Sequence, residues 1–213
     1  MAGLRDQINA PITAVLATDN AGKLREFRSL LGDCLSLIPQ SEFGIRSGEE
    51  TGSTFTENAL IKARHAATLA KLPAIADDSG LEVDSLDGAP GIRSARYAGE
   101  DSADVDNVTR LLAELNGVQT ADRTARFRCV AVFVRDADDP APLIAEGIWE
   151  GRIGMEPSGE NGFGYDPVFV DPELGLTAAQ LNATEKNRRS HRGAAAQQLG
   201  RLIARAAKND KSR

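Results

Sequence analysis

With 213 residues, 41% of them hydrophobic, the chain is long enough to bury a sizeable core, which excludes a disordered protein. A formal charge of -6 excludes one that coats nucleic acid, because such binding rests on Lys and Arg neutralising phosphates, so any anion site must be local. The two cysteines, Cys34 and Cys129, lack CxxC or His-rich surroundings and read as buried free thiols rather than a zinc site or a disulfide framework.

The opening MAGLRDQINAP has no continuous apolar stretch of the signal-peptide kind, and no later run approaches the ~18 residues of a membrane span. A cytoplasmic protein without membrane contact is expected. Residues 12–18 (ITAVLAT) read as a buried strand, followed by a Gly-containing turn and then Leu24, Phe27, Leu30 and Leu31 at helical spacing. Thr54-Phe55-Thr56-Glu57 has the form of a capping box and opens a long helix that runs to Leu72, where Pro73 breaks it. The short apolar Ala74-Ile75-Ala76 predicts a central strand whose end delivers Asp77-Asp78-Ser79-Gly80. Residues 88–99 (GAPGIRSARYAG) are too rich in Gly, Pro and small residues for a regular element and predict an ordered loop.

Val105, Val108, Leu111, Leu112 and Leu115 mark an amphipathic helix with Asp101 or Ser102 as its N-cap. Residues 124–135 and 143–153 are rich in β-formers on either side of Asp138-Asp139-Pro140, the signature of a long antiparallel hairpin from which a second lobe could grow. From about Ser190 onward, Leu199, Leu202, Ile203 and Ala206 give a closing helix with a frayed KNDKSR end. No internal repeat and no low-complexity linker interrupts the order. Strands alternating with helices, plus the hairpin, predict a mixed α/β fold.

Five groups of residues could carry chemistry. Thr18, Asp19, Asn20, Ala21, Gly22 and Lys23 lie where a strand meets a helix; free amides and the helix dipole there favour phosphate, although a capped helix start is the simpler use of such a turn. The GxxxxGK[ST] spacing of a Walker loop is absent. Asp77 and Asp78 stand at a sheet edge suited to a ligand or to magnesium, and Glu49-Glu50 supplies a second acidic pair; an Asx turn and a solvated loop are the alternatives. Asn58 and Lys62, four apart on a helix, can face one site. Phe163, Gly164, Tyr165 and Asp166 place two aromatics among glycines, suiting a stacked base or a tight turn. Lys186, His191 and Arg192 belong to a dense basic run better suited to a small anion or a base edge than to nucleic acid.

Together these segments, VLATDNAGK, FTENALIKARHAA, AIADDSGLEVDSLDGAPGIRSARYAG, GENGFGYDPVF and SHRGAA, resemble the inosine triphosphate pyrophosphatase family from about Ala14 to the last helix. The resemblance implies one catalytic domain over residues 1–213, with two lobes, an elongated central sheet and a substrate cleft between the lobes. It further implies a homodimer and Mg2+-dependent hydrolysis of noncanonical purine nucleoside triphosphates (ITP, dITP, XTP) to the monophosphate and pyrophosphate. Carried onto this chain, Thr18 to Lys23 would hold the triphosphate with Lys62 nearby. Glu50 and Asp78 would handle magnesium, Asp78 would also be the general base, and Ser79 would touch substrate. Phe163 to Asp166, Lys186, His191 and Arg192 would surround base and sugar. The chain departs from the family's T-G-N-x-G-K at Asp19, whose carboxylate would repel a bound phosphate unless it turns away. A pyrophosphatase of the related septum-inhibitor-like family, disfavoured by SHR and FGYD, and a non-catalytic nucleotide sensor, which would be expected to have lost Asp78, Glu50 or Lys62 although all three are present, are the alternatives.

Overall fold

A computed structural model describes residues 11–32 and 35–210 of the chain. The opening segment and Cys34 lie outside the described residues. Six strands form one sheet in the order β2-β1-β3-β4-β5-β6. The strands β1 (Ile12–Leu16), β2 (Leu35–Pro39) and β3 (Ala74–Val83) are parallel, and β3, β4 (Thr124–Val134), β5 (Leu143–Ile153) and β6 (Phe169–Val170) are antiparallel. The helix α1 (Ala21–Leu31) crosses over between β1 and β2, and α2 (Phe55–Ala70) between β2 and β3. The helices α3 (Asp104–Glu114), α4 (Ala183–Arg189) and α5 (His191–Asp210) complete the fold. Among the described residues no helix is long and apolar enough to cross a membrane.

The expected mixed α/β architecture is present, and its two lobes follow from the lengths of the strands. One end of β3 to β5 is sandwiched. Phe27 and Leu31 of α1 and Leu199 and Ile203 of α5 bury one face. Ala59, Ala63 and Ala66 of α2 bury the other against Val130 and Val132. The far end carries a separate core of Leu81, Phe127, Trp149, Phe169 and Leu111. Small residues let α5 lie close on β5. A Cβ at Gly147 would run into the carbonyl oxygen of His191 and sit 2.6 Å from the amide nitrogen of Ala195. Gly147→Ala is therefore expected to cost about 1–3 kcal/mol by overpacking and to displace the start of α5, seen as a lowered melting temperature. Unchanged melting would mean that α5 yields freely there.

Five expectations about elements need correction, the first being that β1 ends at Leu16 and does not reach Thr18. The central strand extends from Ala74 to Val83 instead of ending at Ala76, because its whole length pairs with β4, so Asp77 to Gly80 are strand residues. The long helix stops at Ala70, where Lys71 takes a left-handed conformation. The N-cap of α3 is Ala103, not Asp101 or Ser102. The Ser102 hydroxyl is engaged with the Gly99 carbonyl and Asn107, while Asp106 accepts the Ala103 amide. Residues 91–96 of the expected loop wind into a 3-10 helix.

Candidate active site

Strand β1 ends at Leu16, paired with β3 only at Val15 and Leu16, so the edge of β3 is left open from Asp77 onward, and a cavity sits there. Side-chain alternation along β3 then splits the two aspartates. Asp78 faces α2, where Lys62 Nζ lies 3.0 Å from its Oδ1 and Asn58 Nδ2 donates to its Oδ2 at 3.2 Å. The same ammonium donates to Glu50 Oε1 at 2.7 Å, so Lys62 bridges the two carboxylates. Arg96, which sequence reasoning missed, holds the other Glu50 oxygen at 3.2 Å. Burial pushes the Asp78 carboxyl up, with the Glu50 charge adding to it and the Lys62 and Lys23 ammoniums opposing, and the net direction is upward. Burial is the largest influence on Glu50 and would raise it, but Lys62, Lys23 and Arg96 together outweigh it and Glu50 is lowered. Lys62 resists its own burial through Asp78, Asp77 and Glu50 and is raised.

Asp77 points to the opposite face. Lys23 Nζ lies 2.9 Å and Arg192 Nε 3.6 Å from its Oδ2, and despite complete burial these cations hold the carboxyl far below the ordinary range. Asp77 is thus a locked structural anion and a poor proton acceptor. Asn20 caps α1 by accepting the Lys23 amide at 3.0 Å, and Thr18 Oγ1 accepts the Asn20 amide at 3.2 Å. The amides of Ala21 and Gly22 have no intrahelical acceptor, as at any helix start. Asp19 is the exception in this turn. Its side chain turns away to Gln40 Nε2, 2.7 Å from Oδ1, and to the Ser47 amide, 3.2 Å from Oδ2.

At the other end of the cavity the aromatic loop meets the basic run. Lys186 of α4 and Arg192 of α5 lie 4.9 and 5.3 Å from the centre of the Phe163 ring, which packs so tightly on Gly22 that a Cβ there would come within 2.6 Å of it. Asp166 accepts the Phe163 amide at 2.8 Å and pairs with Lys186. Burial raises the Asp166 carboxyl in spite of Lys186. Glu26 of α1, also missed, joins Lys186 at 3.0 Å and pairs with Arg192. Its signal was available: it lies three residues after Lys23 and so shares that residue's helix face. Arg192 also donates to Ser79 Oγ at 3.1 Å. His191 is buried and stacked on Phe127, with ring centres 4.7 Å apart, and burial reinforced by Arg192 and Lys186 keeps its imidazole neutral. Tyr165 lines the cavity but spends its hydroxyl on the Ser94 carbonyl at 2.8 Å.

The fold thus gathers Asn20, Lys23, Glu50, Asp78 and Ser79 around one cavity with Phe163, Gly164, Asp166, Lys186, His191 and Arg192. Gly22 lines an adjoining cavity behind Phe163. Among the described residues no group of three or more His, Cys, Asp or Glu side chains gathers as a metal cluster. Two carboxylates on a shared ammonium nonetheless fit magnesium, which takes one or two protein carboxylates and completes its shell with water and substrate phosphate.

The profile of the Ham1 family matches residues 14–202. A dITP/XTP pyrophosphatase of Methylococcus capsulatus is 61% identical over 183 residues, covering 85% of this chain and 91% of that protein. Another from Escherichia coli O157:H7 is 58% identical over 182 residues, covering 85% and 92%. The solved structure of a HAM1 protein from Coxiella burnetii superposes with a TM-score of 0.84 at 49% identity, covering 91% of this chain and 99% of that one.

Proposed function

The chain belongs to the Ham1 family, and on that footing we propose that it hydrolyses noncanonical purine nucleoside triphosphates such as ITP, dITP and XTP to the monophosphate and pyrophosphate. One observation carries this reading: a single cavity has Lys23, Glu50 and Asp78 at one end, the two carboxylates bridged by the buried Lys62 ammonium, and Phe163 with Lys186 and Arg192 at the other. The first end suits a triphosphate and the second a flat base carrying acceptors.

Glu50 and Asp78 would hold magnesium, which when bound supplies positive charge against the triphosphate. The rest is done by the chain. Lys23, the start of α1 and Lys62 offset the charge of the phosphate oxygens. Asp78, whose carboxyl is raised by burial, takes the proton of a water that attacks the α-phosphorus, and the α–β bridging oxygen leaves with pyrophosphate. Lys186 and Arg192 donate to the 6-keto group, and Phe163 packs on the base. Assembly as a homodimer, a cytoplasmic location and a single catalytic domain belong to the same reading and rest on the family resemblance.

The test is pyrophosphate release from ITP, dITP, XTP, ATP, GTP and TTP at matched concentration with magnesium. ATP should be poor, because its 6-amino donor faces donors, and a buried unpaired polar group costs about 1–3 kcal/mol, roughly ten- to a hundredfold in rate. GTP keeps the 6-keto group, so its rejection must come from crowding or an unpaired polar contact around its 2-amino group. ATP or GTP cleaved as well as ITP would overturn the assignment of Lys186 and Arg192. In heavy-oxygen water the label should enter the monophosphate alone; label in pyrophosphate would move the attack to the β-phosphorus.

A further inference from the structure

Asp19 stands beside a proposed phosphate site, yet its carboxylate does not face the cavity. It is tied to Gln40, which is buried at the start of a 3-10 helix after β2, and to the amide of Ser47. Gln40 Nε2 also donates to Ser47 Oγ at 2.9 Å, which closes a three-membered cluster. Five residues beyond Ser47, the amide of Gly52 donates at 2.8 Å to Asn58 Oδ1, and the amide group of that same Asn58 side chain reaches Asp78. The stretch between these two anchored amides contains Glu50, held in the cavity by Lys62 and Arg96.

We infer that Asp19 is a positioning residue: by gripping Gln40 and Ser47 it fixes one end of the acidic loop, as Asn58 fixes the other, and so sets where the Glu50 carboxylate stands relative to Asp78. The inference deepens the proposed function and rests on the role given there to Glu50. It differs from a direct contact with nucleotide, because Asp19 acts through Gln40 and the Ser47 amide. The carboxylate also accepts charge-assisted bonds, which keep it ionised. Burial alone would raise it, yet the bonds from Gln40 and Ser47 hold it below the ordinary range.

The experiment compares Asp19→Gly, Asp19→Asn, Gln40→Leu and the double variant Asp19→Gly/Gln40→Leu with the unaltered chain. Three readouts are taken: amide exchange of residues 44–52, Mn2+ titration of the protein alone, and the dependence of ITP hydrolysis on magnesium. Losing a charge-assisted bond should raise the metal concentration for half-maximal effect roughly threefold to tenfold, with kcat at saturating metal little changed. Exchange at Ser47 should quicken. Asp19→Asn should recover only part of the effect, since it keeps one acceptor oxygen for Gln40 but replaces the oxygen that accepts the Ser47 amide with a donor. The double variant should be no worse than either single one, because both break one clasp. The proposal falls if Gln40→Leu leaves metal dependence and loop exchange unchanged while Asp19→Gly alters them, if the two effects add, or if Asp19→Gly changes neither. Absence of hydrolysis by the unaltered chain would instead count against the proposed function, and loop exchange and Mn2+ titration would still decide the role of Asp19.

Discussion

The Asp78→Asn protein is expected to hydrolyse ITP about 10²–10⁴-fold more slowly than the unaltered enzyme, because the substitution keeps the size of the side chain while removing the charge and basicity that general-base catalysis uses. Loss of a magnesium carboxylate would add to this. The fold should not suffer. The Asp78 carboxyl is raised in the folded state, chiefly by burial. Stability linked to a raised carboxyl is present below its unfolded pKa and is lost as pH rises through the folded one, so at neutral pH the ionised group is a net cost. Asp78→Asn should accordingly melt at or above the temperature of the unaltered protein near neutral pH, with the gap closing in acid. A variant that kept most of its activity at saturating magnesium would remove the base role from Asp78. The neighbouring aspartate is not a ready substitute, since Asp77 is locked between Lys23 and Arg192.

That division between neighbours shows how far the sequence could be read. The motif Asp77-Asp78-Ser79-Gly80 announced a functional edge, but a strand alternates its side chains, and only the pairing of β3 with β4 reveals that both aspartates lie on the strand and therefore face different helices. The hairpin, the capped helix after Thr54 and the first strand were legible because each has a strong local period or cap. The short β2 and α4 were not: five residues of strand and seven of helix carry too little periodicity and owe their form to neighbours. The same holds at the site. Lys62 and Asn58 could be placed on one face by their spacing, but the bridge from Lys62 to Glu50 depends on the path of a loop twelve residues upstream. Asp19 was grouped with the phosphate turn by adjacency, and its turn toward Gln40 is a tertiary fact. Arg96 went unnamed for the same reason, because a lone charge gains meaning only from the carboxylate it meets, whereas Glu26 could have been found from its spacing to Lys23 on one helix face.

Lys62→Met should be the most destabilising change at the site. The ammonium is buried between Glu50 and Asp78, its charge favoured by Asp77 as well, and the flexible thioether that replaces it fills space without neutralising anything. Breaking a buried ion pair by removing one partner costs about 3–5 kcal/mol, because the remaining charge is left uncompensated. For a chain of this length that is a fall of about 6–20 °C in melting temperature, at roughly 2–4 °C per kcal/mol. The pH dependence has a definite sign. A lysine raised in the fold gives stability that is complete below its unfolded pKa and disappears as pH rises through the folded one, so the two proteins should converge only in strong base. With the ammonium gone, Glu50 and Asp78 lose the cation they share and keep only Arg96 and the more distant Lys23, so magnesium should raise the melting temperature of the variant more than that of the unaltered protein. Catalysis should still fail, since the metal would take over the neutralising role without returning a cation to the phosphate side. Arg205→Ala, an exposed change near the far end of α5, serves as the control and should alter neither quantity. A Lys62→Met protein that melted within a degree of the unaltered one would mean that the two carboxylates do not need the ammonium. If its melting responded to magnesium no more than the unaltered protein's, Glu50 and Asp78 would not form the cation site assigned to them.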